Sequence, residues 1–156
     1  METYNEYRGL RFYRDGRVER HFRIKGWREV KNTANHGEGY NQVRVNGKAE
    51  LRQRLMVAAF NPLFDIRIKN HYVDHRDENK LNNAYDNLRV TTNQGNQWNV
   101  SSVKGYSWDK RAGKWKAKIR TKDGVDKYLG LHETEEAARA AYLAAKEKYH
   151  VIEELC

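Results

Sequence analysis

Asp74 and His75 stand side by side, a polar run follows (RDENKLNNAYDN, 76–87), and a further amide, Asn96, lies 21 residues past His75. Each of these side chains brings a different chemistry. An ionised Asp is a hard oxygen ligand and an Asn amide oxygen is another; together they suit magnesium or manganese, ions that prefer oxygen and keep several of their waters. A neutral His beside such an ion can take a proton from water. An ion that also meets a phosphate oxygen stabilises the charge that develops when a phosphodiester is hydrolysed. One carboxylate, one amide oxygen, one base and a cationic surface therefore suit nucleic-acid hydrolysis. The same stretch is also compatible with an ordered loop of Asn and Asp that carries a surface His and no chemistry.

The elements around these residues must hold them still. HYVDH (71–75) and LRVTT (88–92) read as strands, so Asp74 and His75 close the first of an antiparallel pair. The amides between them bond readily to nearby backbone and build a fixed loop. NQGNQWNV (93–100) then opens a helix that carries Asn96. Upstream, Asp15-Gly16 and Asn46-Gly47 are hairpin turns, the second the stronger because both residues tolerate positive φ. LRQRLMVAAF (51–60) reads as a short helix with Leu51, Leu55, Ala58 and Ala59 on one face, stopped by Asn61-Pro62. Residues 1–60 are thus a small β-rich unit ending in a helix. Arg8, Arg11, Arg14, Arg17, Arg20 and Arg23 recur every third residue, a period of neither helix nor strand. They form either a solvated basic face or an arm that tracks phosphates.

Composition bounds the partners. The chain has 156 residues, a formal charge of +9 and 38% hydrophobic residues, enough for one domain or two very small ones. No apolar run reaches the ~20 residues of a membrane span, and the first residues lack an apolar leader, so no membrane partner is expected. The single Cys156 excludes an internal disulfide and a thiolate metal site. Positive charge gathers in two centres, net +4 over residues 1–31 and net +6 over residues 104–127, while residues 128–156 carry net −3. A basic chain of this kind expects a polyanion, most often nucleic acid.

VDHRDENKLNNAYDNLRVTTNQGN (73–96) resembles the HNH endonuclease motif of phage and homing enzymes, over about residues 50–100. The resemblance implies a ββα-metal fold with one divalent ion, magnesium or manganese. It makes His75 the general base, Asp74 and Asn96 the metal ligands, and Asn87 the central amide that pins the loop and orients the base. RLMVAAFNP (54–62) resembles the helix that usually precedes the motif. Two residues depart from the pattern. Glu78 replaces the usual loop glycine, so its turn forms either without positive φ or with strain. Gln53 stands where relatives often have His.

KWKAKIR (114–120) alternates strictly, with Lys114, Lys116, Lys118 and Arg120 on one strand face and Trp115, Ala117 and Ile119 on the other. Ala112-Gly113 and Asp123-Gly124 turn the chain on either side, with GYSWD and KYLGLH as partner strands. Thr134 caps a helix whose Ala137, Ala138, Ala141, Tyr142, Ala144 and Ala145 form a small-residue face for the Trp115/Ile119 side. GYSWDKRAGKWKAKIR and YLGLHETEEAARAAY resemble the Apetala/ethylene-response-factor type of DNA-binding domain, roughly over 103–150. That resemblance implies a three-stranded sheet in the major groove braced by a helix. Lys110, Arg111, Lys114, Lys116, Lys118 and Arg120 would face DNA, Trp108 could join them, and Trp115 would be core.

The expected fold class is α+β: a small β-rich N-terminal unit and a ββα-metal core within residues 1–100, with the motif at 71–100, then a three-stranded antiparallel sheet packed on one helix within 103–156. The expected activity is metal-dependent hydrolysis of double-stranded DNA, in the bacterial cytoplasm if the gene is a phage's. A rival reading is a non-catalytic DNA-binding regulator with a structural HNH-like loop; a nuclease acting on RNA ranks below both. Sequence leaves open the target site, nick or double-strand break, and the oligomeric state.

Overall fold

The computed structural model describes residues 3–155; the only cysteine, Cys156, lies outside them. The chain is α+β, made of small antiparallel sheets and short helices. It divides into two compact units. One runs through Asn93 and takes up the terminal residues from Glu154; the other is Gln94–Glu153. Among the described residues no helix is long and apolar enough to cross a membrane.

The first unit opens with a meander of β1 (Asn5–Tyr7), β2 (Leu10–Phe12), β3 (Val18–Phe22) and β4 (Gly26–Glu29), paired in that order. A hairpin of β5 (Gln42–Val45) and β6 (Lys48–Leu51) follows. Its turn sets Asn46 at φ 49° and Gly47 at φ 80°, the double positive φ expected of Asn-Gly. Helix α1 (Arg52–Phe60) leads to β7 (Tyr72–His75) and β8 (Leu88–Thr91), which pair antiparallel. Leu10, Phe12, Val18, Val43, Leu55 and Val90 belong to one shared core, so the meander, the hairpin, α1 and the β7–β8 pair bury a common interior.

The face that α1 buries differs from the expected one. Leu51, Ala58 and Ala59 are only half-buried, whereas Arg52, Gln53, Leu55, Met56 and Val57 are buried. Arg52 explains the rotation. Its guanidinium, 0% exposed, donates to Asn41 Oδ1 at 2.7 Å, Gly16 O at 3.1 Å, Val30 O at 2.5 Å and Lys31 O at 3.0 Å. Four acceptors offset the cost of burying a cation. Burial lowers its pKa to about 10, leaving the group charged near neutrality.

The period-three arginines do not make a continuous stripe. Arg11 lies over Tyr4 and Trp27, Arg14 pairs with Asp86 at 2.5 Å, Arg17 pairs with Asp15 at 2.6 Å, and Arg20 donates to Arg44 O. Internal partners of this kind tie most of these side chains to different neighbours, so they do not line up as one row.

The second unit holds β9 (Tyr106–Asp109), β10 (Lys114–Arg120) and β11 (Asp126–His132), with β10 central, and helix α3 (Glu135–Tyr149). Thr134 Oγ1 caps α3 by accepting from the Ala137 amide at 3.2 Å. Burial along α3 is a narrow seam of Ala138, Tyr142 and Ala145; Ala137 and Ala144 are exposed, so the small-residue face is narrower than its sequence implies. Ala117 and Ile119 are buried on the core side of β10, with Ile119 packed against Tyr142 and Ala145. Trp115 is half-buried and meets Trp108 edge-on at 5.3 Å. Trp108 and Trp115 are register partners, which puts Trp108 on the Trp115 face and away from the cationic one. A bulge opposite Ala117/Lys118 leaves Leu129 without a partner on β10 and lets it join the core.

Candidate active site

His75 ends β7 and is 3% exposed. Its Nε2 lies 3.2 Å from Asn83 Oδ1. Asn83 Nδ2 in turn donates to Asn32 Oδ1 and to Leu81 O, both at 3.2 Å, and Asn32 Nδ2 donates to Leu81 O at 2.6 Å. With its amide nitrogen committed that way, Asn83 offers only oxygen to the ring. His75 therefore carries its proton on Nε2, and Nδ1 holds the lone pair. Tyr40 stacks on the imidazole with ring centroids 6.0 Å apart and planes 30° apart. Burial lowers the His75 pKa below its ordinary value, against the opposing pull of the Asn83 hydrogen bond and the Asp74 and Asp77 charges. The ring is thus held neutral, the form that accepts a proton.

Asp74, 6% exposed, stands opposite Arg89 in the β7–β8 register. Arg89 Nε and Nη2 both donate to Asp74 Oδ2, at 2.9 and 2.7 Å. The Asp74 charge reaches both His75 and Tyr40, so it acts on the same locus as the imidazole. Lys80 Nζ lies 4.6 Å from the Tyr40 ring centroid and donates to Glu38 O at 2.8 Å, placing a cation against Tyr40.

The loop between β7 and β8 is built by its amides around Asp77. That carboxylate accepts from Asn79 N at 2.9 Å, Asn82 Nδ2 at 2.7 Å and Asn87 Nδ2 at 2.8 Å. Desolvation alone would raise the Asp77 carboxyl, but these bonds hold it below its ordinary value. Asn87 also donates to Asn82 O and accepts from the Asp77 amide, so it ties both ends of the loop. Glu78 sits at φ 62°: the turn forms with positive φ despite a side chain. From the other side, Gly16 presses on the loop. A Cβ there would lie 2.8 Å from Asn83 C and 2.9 Å from Ala84 N.

The sequence-derived site residues thus fall as follows. Asp74, His75 and Asn87 lie together in the first unit, with Asn87 in the loop rather than on the ring. The amide that touches His75 is Asn83, which sequence reasoning missed, as it missed Asn32, Tyr40, Lys80 and Arg89. Only Arg89 had a signal: pairing the two strands from the loop outward sets it opposite Asp74. Asn96 is half-buried on α2 (Asn93–Trp98) and belongs to the second unit. Lys110 and Arg111 lie exposed in the β9–β10 turn. Lys116, Lys118 and Arg120 are exposed along β10, and Lys114 is half-buried. Lys114 pairs with Glu133 at 2.6 Å, and Lys118 and Arg120 approach Asp126 at 3.1 and 3.9 Å.

Among the described residues no group of three or more His, Cys, Asp or Glu side chains is placed to hold a metal ion. The donors at hand are a single carboxylate and amide oxygens, a set that fits a hard ion keeping most of its waters. Asp74 is the carboxylate available to such an ion, and it is shared with Arg89.

Residues 51–98 match the family model of the HNH endonuclease, a span that holds α1, the β7–β8 pair, the amide loop and Asn96. Protein 3.8 of Escherichia phage T7 is 40% identical over 58 residues, a match that covers 33% of this chain and 48% of that protein. The chain thus spans about half the length of that relative. A solved structure of DNA binding and cleavage by the HNH homing endonuclease I-HmuI is 19% identical with a TM-score of 0.41, covering 89% of this chain and 80% of that one.

Proposed function

We propose that this protein is a DNA endonuclease that hydrolyses phosphodiester bonds with His75 as general base. The observation that carries the reading is His75 itself: buried, neutral, and fixed in one tautomer by Asn83 within the segment that matches the HNH model. In the proposed step, Nδ1 takes a proton from a water as that water's oxygen attacks phosphorus. The bond from phosphorus to the 3′ oxygen breaks, and the leaving oxygen gains a proton, giving a 5′-phosphate and a 3′-hydroxyl. Asn83 and Tyr40 hold the ring so that Nδ1 keeps its aim. Arg89 and Lys80 supply positive charge around it. Asp74 would supply a ligand to one magnesium or manganese ion, which when bound neutralises charge at the scissile phosphate. The cationic face of β10, with Lys110 and Arg111 beside it, would engage the duplex and direct cutting.

Plasmid cleavage with magnesium, with and without a chelator, tests the reading. Wild type should cut only with the ion. His75→Ala should lose about 10²- to 10⁴-fold in rate while still binding DNA, the usual cost of removing a general base. Binding without cleavage by the wild type on plasmid, host and phage DNA alike would point instead to a non-catalytic regulator.

A further inference from the structure

The β3–β4 connection is a feature the site does not use. Arg23, Ile24 and Lys25 form a three-residue turn, with Phe22 and Gly26 paired across its base. Gly26 at φ 65° completes the left-handed step that such a turn needs. Ile24 at the tip is 87% exposed and Phe22 is 46% exposed. Neither belongs to the core. Ile24 is the most exposed large apolar side chain among the described residues and sits two residues from Phe22, so a partner that covered both would remove apolar surface from water.

Its surroundings say what that is. Residues 20–28 carry Arg20, Arg23, Lys25 and Arg28 and no acidic residue. Arg20 and Arg28 are register partners, so they flank Phe22 on one face of the hairpin. Arg23, Lys25 and Arg28 are exposed and have no acidic partner among the described residues, whereas most other arginines of this sheet are paired or stacked internally. An apolar tip ringed by free cations is complementary to a duplex: phosphates meet the cations, and the aliphatic side chain meets the only apolar surface a duplex offers, the faces and edges of its bases.

We infer that the β3–β4 hairpin is a DNA-deforming wedge, with Ile24 pressed against or between base pairs and Arg23, Lys25 and Arg28 on the flanking phosphates. This rests on the proposed nuclease reading for its choice of DNA as partner. The wedge adds a second function to that reading: opening or bending the duplex.

The test uses the full chain with chelator present, so that nothing is cut. Binding to duplex DNA is followed by anisotropy across a salt series, and bending by energy transfer between dyes at the duplex ends. Ile24→Ala should leave the salt slope unchanged, since no charge is lost, but abolish most of the bend and weaken binding roughly tenfold, the loss of one buried aliphatic side chain. Arg23→Ala with Lys25→Ala should instead flatten the slope by about 1.8, at about 0.9 per phosphate contact. All three positions are exposed, so the variants should fold, which circular dichroism checks. The inference is overturned if Ile24→Ala binds and bends DNA like wild type, or if the wild type does not bend DNA. It is equally overturned if the Ile24 dependence appears on anionic phospholipid vesicles and not on DNA. A wild type that bends DNA through Ile24 yet never cuts it, with the ion restored, would refute the nuclease reading and leave the wedge standing.

Discussion

Asn83 decides which nitrogen of His75 carries the proton, and so which one the proposed base would use. Its oxygen holds the proton on Nε2, and its own nitrogen is fixed by Asn32 and Leu81. Asn83→Ala should cost about 10- to 100-fold in cleavage rate, as loss of a supporting partner commonly does. A purely structural role would leave the imidazole tautomer alone. ¹⁵N chemical shifts of His75 should therefore show a mixed tautomer in the variant and a single one in wild type; an unchanged signature would disprove the positioning role. Four amides share the loop, Asn79, Asn82, Asn83 and Asn87, and they are chemically identical in sequence. That is why the loop itself was legible while the member touching His75 was not: selecting it requires Asn32 and Tyr40, which come from a segment between β4 and β5 with no regular structure. Glu78 was legible as an anomaly, and its φ of 62° shows which way it was resolved. Glu78→Gly sets relief of a left-handed penalty of about 1–2 kcal/mol against roughly 0.5–1 kcal/mol of extra entropy that glycine gives up and the loss of the Glu78 side chain's own contacts, so the net change should stay within about 1 kcal/mol. Chemical denaturation measures it, and a drop in the midpoint would mean the Glu78 side chain holds more than the strain costs.

At the scale of elements, period and turn chemistry did most of the predictive work. Asn46-Gly47 marked its hairpin, Thr134 its cap, and the KWKAKIR alternation placed Ala117 and Ile119 inward. The β3–β4 turn escaped notice because Arg-Ile-Lys-Gly lacks the Asn-Gly or Asp-Gly signature, its one cue being the glycine at its end. The burial of α1 escaped because Arg52 reads as a solvent-facing residue; only its distant acceptors make it an interior one. On the cationic strand, changing Lys114, Lys116, Lys118 and Arg120 together to Ala should flatten the dependence of log K on log salt by about 3.6. The ion pairs these residues keep with Glu133 and Asp126 are exposed and weak, and phosphates should displace them. An unchanged slope would remove this face from the DNA contact. Behind the same sheet, Gly105 sits at φ 73°, and a Cβ there would fall 2.0–2.3 Å from the Tyr142 ring. Gly105→Ala should destabilise the second unit by about 1–3 kcal/mol or more, seen as a lowered melting transition of that unit with the first left intact.

At the scale of the whole molecule, the chain's end returns to its beginning. Glu154 pairs with Arg76 at 2.6 Å, and the Leu155 amide donates to Val90 O at 2.8 Å, both in the first unit. Truncating from residue 103 would remove these contacts along with the second unit, so a loss of cutting in that variant would not isolate targeting. The quadruple alanine change is the cleaner comparison.

Arg52 has a consequence of a different kind. It stands second in the segment that matches the HNH model, yet each of its four hydrogen-bond acceptors, Gly16, Val30, Lys31 and Asn41, lies upstream of that segment. Half the interior that α1 faces, from Leu10 to Val45, lies upstream as well. The recurring motif is therefore not a portable cassette here. A peptide of residues 51–98 should be unstructured by circular dichroism. Within the full chain, Arg52→Met should cost about 3–5 kcal/mol by stranding those acceptors. Transplanting residues 51–98 into another scaffold would require the receiving protein to bring its own carbonyls to meet that guanidinium.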